Sequence, residues 1–319
     1  MKSKGNNDLI SVENAQEIIF SKFKKLQSTQ KKLIDSNGFI LDEEINALFD
    51  LPNKNNSAMD GFAVRHEDLE MNKSLRVVGR VGAESITDYI IKKDEAMRIM
   101  TGSGIPKGAD SVVPFENTNN NPHKGNDFPD TVLINEIVNK GDNIRLSGQD
   151  YKFGETVVEN GMLIDPAIIG AIASFGINEV NVIRKPIVSL ISTGNELVMP
   201  GEKLNDGQIY DSNSFAISAA INSSGAECKM HKILSDKKED VDKLYENCSQ
   251  SDLIVTIGGV SKGDFDLIRD AISSKGNIDF WGINMKPGKP LAFGKVVLNN
   301  EEVFHIGLPG NPVSSYVCF

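Results

Sequence analysis

The stretch DLIVTIGGVSKGDFD, residues 252–266, runs five strand-forming residues, Leu253 to Ile257, straight into a turn of glycines and polar residues. An unbroken apolar run of that length reads as a strand buried on both faces. The same rhythm occurs on either side of it, in IVSLIS (187–192) before TGNEL and in VFHI (303–306) before GLPGNPVSSY. Three strands that each end in a turn leading toward a helix predict an α/β domain with a parallel sheet. In such sheets ligands bind outside the carboxyl ends of the strands, so the three turns are expected to share one crevice. Between them, DSNSFAISAAINSSG (211–225) reads as a capped apolar helix, and Asp236-Lys237-Lys238-Glu239 has capping-box spacing.

Upstream the texture differs. Ser11 to Leu26 places Val12, Ala15, Ile18, Ile19, Phe23 and Leu26 at helical spacing, which predicts an amphipathic helix on a scaffold. From Ser57 to Val138 short β-rich runs (Leu75–Val81, Tyr89–Ile91, Ser111–Pro114, Thr131–Ile137) alternate with turn residues and predict a small β-rich domain. Within it, the Asn-, Pro- and Gly-rich 116–130 reads as a hairpin loop. Asp165 to Phe175 reads as a helix ended by Gly176.

The chain has 319 residues, is 39% hydrophobic and carries a formal net charge of -10. Its length allows two or more domains. The acidic balance argues against nucleic acid or an anionic membrane as partner, since either calls for a dominant basic surface. No apolar signal core or membrane-length run is present, and a cytoplasmic location is the expectation. Cys228, Cys248 and Cys318, with four scattered histidines, give neither a disulfide framework nor zinc spacing.

Two common phosphate signatures fail letter by letter. In GGVSKGD, Asp264 and Phe265 stand where a P-loop needs Lys and Ser or Thr; in TGSGIPKG, Lys107 replaces the third glycine of a dinucleotide fingerprint. What remains mixes carboxylates and lysines at turns: Glu196 in STGNEL, Asp264 and Asp266 in GDFD, and Lys286 and Lys289 in MKPGKPLAFGK. Pro287 and Pro290 restrict the lysine loop, which is either a preorganised oxyanion site or a solvated surface loop. Glu196 and Asp266 are likewise either ligands or ordinary acidic residues at helix starts. An anion beside carboxylates calls for a bridging cation, and Mg2+ takes oxygens from both. Ser314, in the GLPGNPVSS turn, adds a hydroxyl at a helix start.

Taken in order, NNSAMDGFAV, IMTGSGIPKGADSVVPFE, NIRLSGQD, STGNEL, GQIYDSNS, GGVSKGDFD, MKPGKPLAFGK and GLPGNPVSS resemble the molybdopterin molybdenumtransferase family, that of MoeA and the gephyrin E domain. The resemblance covers Ser11 to Phe319. It implies an α/β multidomain protein: an elongated helical and β scaffold (1–56 and 143–184), a β-rich second domain (57–142) and a parallel-sheet molybdopterin-binding domain (185–319). It implies a homodimer with an active site shared between subunits, which inserts molybdate into adenylylated molybdopterin with Mg2+ present and releases AMP and molybdenum cofactor. Further partners it implies are molybdopterin adenylyltransferase and molybdoenzymes.

Carried over by motif, Lys286, Lys289 and Ser314 resemble the molybdate-binding positions. Glu196 and Asp266 resemble the acidic positions at the pterin-nucleotide site and the Mg2+ ligands, with Asp236 a further acidic position beside them. Asp60 in SAMDGFA, Thr101 in MTGSG, and Arg145 and Asp150 in NIRLSGQD resemble polar positions that approach the neighbouring subunit. Leu267 stands where a Tyr is expected and Gln149 where Glu is usual. The resemblance also implies a β-barrel fourth domain contributing to the molybdate site, which is expected to be absent from these 319 residues. Two alternatives belong with this reading: a non-catalytic molybdopterin-binding or scaffold protein of the same fold, and a molybdopterin adenylyltransferase. SAMDGFAV and NIRLSGQD count against the second.

Overall fold

The computed structural model describes residues 9–82, 87–119, 129–232, 245–258 and 272–319. The chain packs as two units, one formed by 1–31, 38–42 and 181–319, the other by 32–37 and 43–180.

The second unit is built on a five-stranded sheet of β1 (Gly61–Val64), β2 (Ser74–Val81), β3 (Glu95–Ile99), β4 (Ser111–Pro114) and β5 (Thr131–Leu133), in the order β4-β1-β3-β2-β5. Phe62, Val64, Leu75, Val113, Phe115 and Val132 close its core. Gly61 is needed for closeness rather than for a turn. A Cβ there would collide with the Val113 carbonyl oxygen and stand 2.9 Å from the Pro114 Cα. Among the described residues Tyr89–Ile91, expected as a strand, makes a single bridge, from Ile90 to Lys107. Helix α2 (Pro166–Ala173) starts where its sequence predicts, with Asp165 Oδ1 accepting from the Ile168 N–H at 2.8 Å.

The other unit holds a six-stranded sheet of β6 (Ile187–Ser192), β7 (Glu227–Met230), β8 (Leu253–Ile257), β9 (Gly276–Trp281), β10 (Ala292–Leu298) and β11 (Glu301–Leu308), in the order β7-β6-β8-β11-β10-β9. The four strands β7, β6, β8 and β11 are parallel, as the strand-turn rhythm predicts. β9 and β10 add an antiparallel edge that the sequence reading did not anticipate. Apolar residues leave both faces of the sheet: Ile191 and Ile254 on one, Val188, Leu190, Val255 and Ile257 on the other. That two-sided burial is why these strands read as continuous rather than alternating.

Helix α3 (Ser212–Ser223) covers the second face with Ile217 and Ile221. Helix α1 (Val12–Lys22), expected on a scaffold, packs here too: Ala15 is buried in the same cluster and Ile18 and Ile19 lean on it. Ile10 bridges to Ile283, and the Phe23 ring lies 4.7 Å from that of Phe304, so the apolar stripe of α1 finds its partner on this sheet.

The amino ends of the parallel strands are tied by a fork. Arg184 donates to Asp252 through both terminal nitrogens, at 2.7 and 2.5 Å, and the Ile187 N–H donates to the same carboxylate at 2.8 Å. Burial raises the Asp252 pKa, but the Arg184 and Ile187 hydrogen bonds outweigh it and hold the carboxyl below its usual value.

Candidate active site in the six-stranded unit

At the opposite, carboxyl edge the ends of the three strands converge, the middle turn being described only at Gly258. The Thr193 N–H donates to Ile257 O at 3.0 Å and the Gly258 N–H to Leu308 O at 3.1 Å, joining the ends of β6, β8 and β11. Gly258 has φ +88, and a Cβ on it would stand 2.8 Å from the Thr193 carbonyl oxygen. Only glycine combines that backbone conformation with that approach. A Cβ on Gly310 would in turn lie 3.7 Å from the Gly258 Cα.

Together these turns line a cleft of about 240 Å³, with Thr193, Gly194, Glu196, Gly258, Pro309 and Gly310 among its walls. Glu196 is exposed in it, its backbone held where the Ile209 N–H donates to the Glu196 carbonyl at 2.9 Å. Asp211, at the start of α3, also lines the cleft but is 2% exposed and accepts from the Ser214 N–H at 3.0 Å. The hydroxyls of Ser192 and Ser214 are hydrogen-bonded beneath it.

The lysine loop belongs to the same edge. Residues 282–291 connect β9 to β10, and the antiparallel register pairs Ala292 with Gly307, so the loop emerges beside the end of β11. Lys286 and Lys289 are exposed, and Pro290 lines the cleft. The loop rests on helix α4 (Pro312–Cys318): the Cys318 thiol donates to Gly288 O at 3.3 Å. Asn311 caps α4, its Oδ1 accepting from the N–H groups of Val313 at 3.1 Å and Ser314 at 3.2 Å. Ser314 is therefore on the helix that supports the lysines. Lys295, by contrast, pairs with Glu302 across β10 and β11 and faces away from this chemistry.

Of the acidic positions expected beside Glu196, Asp266 and Asp236 lie outside the described residues, as do Asp264 and Leu267 and most of the 116–130 loop. The other four expected residues lie in the five-stranded unit, where they form two pairs. The Thr101 N–H and hydroxyl donate to Asp60 Oδ1 at 2.7 and 2.8 Å, and Arg145 is ion-paired with Asp150. Both pairs flank Asn56–Ser57, which bonds to Arg145 and Ile144 on one side and to 102–104 on the other. The sequence reading missed Asp211 and Asn213 as cleft residues. Their signal was in DSNS, where an N-cap is followed at once by further polar side chains.

Residues 10–176 match the family model of the MoeA N-terminal region (domain I and II), and residues 189–319 match that of the probable molybdopterin binding domain. The chain belongs to the MoeA family. The Haemophilus influenzae molybdopterin molybdenumtransferase is 38% identical over 278 residues, covering 87% of this chain and 66% of that protein. The Staphylococcus epidermidis protein of the same name is 35% identical over 319 residues, covering 97% of this chain and 73% of its own length. Two structures of the molybdopterin biosynthesis MoeA protein from Pyrococcus horikoshii superpose with TM-scores of 0.76 and 0.75, at 32% and 27% identity, covering 98% and 97% of this chain and 77% and 76% of theirs. The chain thus spans about two thirds to three quarters of the MoeA proteins it matches. The cleft lies wholly in the part that matches the molybdopterin-binding model.

Proposed function

We propose that this chain carries the activity of a molybdopterin molybdenumtransferase, inserting molybdate into adenylylated molybdopterin with release of AMP and molybdenum cofactor. The observation that carries the reading is the convergence of three strand ends, the exposed Glu196 carboxylate and a two-lysine loop on one cleft edge, inside the region similar to molybdopterin-binding domains. Lys286 and Lys289 attract the oxyanion, and Ser314 offers a hydroxyl from the supporting helix. Glu196 faces the pterin nucleotide from the other wall.

Among the described residues no three His, Cys, Asp or Glu side chains gather to hold a metal. Mg2+ needs no such cage, because it binds through one or two carboxylates plus phosphates and keeps several waters. The exposed Glu196 carboxylate fits that role, and Asp266 is its expected companion. Bound there, Mg2+ would neutralise phosphate charge that the carboxylates alone repel.

The working protein, on this proposal, is a cytoplasmic homodimer in which Asp60, Thr101, Arg145 and Asp150 of one subunit complete the cleft of the other. Among the described residues no helix is long and apolar enough to cross a membrane. Incubating the full-length protein with adenylylated molybdopterin, Mg2+ and molybdate should release AMP in step with molybdenum cofactor, and absence of both products rejects the assignment. The same assay reads the shared site. Asp60→Asn and Glu196→Gln are each expected to be inactive, while their equimolar mixture, after subunit exchange, regains about a quarter of wild-type activity, because half the dimers then carry one intact site. A mixture as inactive as its parents counts against the sharing.

A further inference from the structure

The Asn213 side chain is the third polar group of DSNS and takes no part in capping α3, whose N-cap is Asp211; its Nδ2 donates to the Gly310 carbonyl oxygen at 2.8 Å. Asn213 and Gly310 both line the cleft. We infer that Asn213 is a positioning residue: it clamps the Pro309–Pro312 turn to the start of α3, and thereby sets where α4 and the lysine loop stand.

The argument follows the bonds outward from that clamp. Asn213 holds Gly310 from one side, and from the other Gly310 abuts Gly258, whose N–H bonds to Leu308 O. The next residue, Asn311, caps α4 through the Val313 and Ser314 N–H groups, so a shift of Gly310 moves the cap directly. At the far end of α4, Cys318 meets Gly288 between the two lysines. A Cβ on Gly288 would stand 2.6 Å from the Cys318 Sγ, which shows how closely loop and helix are packed. The acceptor is a carbonyl, so only the amide nitrogen of Asn213 can make this bond, and an isosteric carboxylate would repel the oxygen instead.

The functional arm of the inference rests on the reading of Lys286, Lys289 and Ser314 as the oxyanion site; the clamp itself does not. Hydrogen–deuterium exchange on the full-length protein is the first test. Asn213→Ala should speed exchange of the Val313 to Phe319 amides about fivefold, the yield of one lost neutral hydrogen bond, and Asn213→Asp more than tenfold, through repulsion of the carbonyl. The amides of β6 and β8 serve as the internal reference and should not change, which also establishes that the variants are folded. Unchanged exchange in Val313 to Phe319 for both variants overturns the clamp.

The second test is kinetic. Both variants should raise KM for molybdate about fivefold or more, in the same order, while the Kd for the pterin nucleotide stays within about twofold of wild type. Faster exchange with an unaltered molybdate KM overturns the positioning role. Failure of the wild-type protein to release AMP defeats the proposed function instead, and the exchange rates then decide the clamp by themselves.

Discussion

Replacing Lys286 and Lys289 together by Ala is expected to lower kcat/KM for molybdate about a thousandfold, while the Kd for adenylylated molybdopterin changes by about threefold at most. On the proposed reading each lysine would donate a charge-assisted hydrogen bond to the oxyanion, worth roughly 1.5–3 kcal/mol, and two such bonds at about 1.4 kcal/mol per tenfold give the thousandfold figure. Both side chains are exposed on the loop that faces the cleft edge, so their loss removes charge without opening the core. Lys295→Ala is the control: its partner is Glu302 on the sheet surface, and activity should stay within about twofold, as for an exposed ion pair. Steady-state kinetics with molybdate varied, alongside equilibrium binding of the pterin nucleotide, separates the two effects. Equal losses in both measurements would mean that the loop serves the pterin rather than the oxyanion.

The second large effect concerns stability in acid. His305, on β11, is 0% exposed; its Nε2 lies 3.3 Å from the Tyr245 hydroxyl and its Nδ1 has no partner among the described residues. Burial alone pushes its pKa down to about 3, and burial likewise pushes the Tyr245 hydroxyl up. With the unfolded chain titrating near 6.5, the unfolded state binds a proton between those two values that the native state refuses. Stability therefore falls as pH drops below about 6.5, by about 1.4 kcal/mol per unit, and by pH 4 the loss attributable to this one ring is about 3 kcal/mol. Urea unfolding from pH 7 to pH 4 should give a steep decline for wild type and a shallower one for His305→Leu, the gap between the curves widening by about 3 kcal/mol. Parallel curves would show that the ring is already protonated in the native state or titrates elsewhere.

The parallel core of the six-stranded unit was legible because its strands are apolar on both faces and each stops at a glycine-rich turn, so IVSLIS, DLIVTI and VFHI announce themselves. The antiparallel edge was not. Its β10, AFGKVVL, follows so closely on the Pro- and Gly-rich loop that turn chemistry masked the strand. β1 was hidden in the same way: GFAV follows Met59-Asp60, and an Asp-Gly pair reads as a turn until packing shows Gly61 pressed between strands. The α1 stripe showed that a helix exists but could not name its partner, since one apolar face fits any complementary core. For the site, the motifs marked Glu196, Lys286, Lys289 and Ser314, which the fold brings to one sheet edge. The pairing of Asp60 with Thr101 was beyond reach, because 41 positions separate them and neither sits in a periodic pattern.

The mixed sheet has a consequence for how this cleft can change. The turn after β6 opens a crossover through α3 to the parallel strand β7, so altering its length disturbs the core. The lysines sit instead on the connection between two neighbouring antiparallel strands, whose pairing is complete by Trp281 and Ala292. Doubling such a connection adds only about 0.6 kcal/mol of closure entropy. On the proposed reading the oxyanion arm is thus mounted on a simple strand connection beside the pterin bed, anchored by the buried Ile283 and Leu291, and its reach toward an anion can change with the loop between those anchors while the sheet stays as it is.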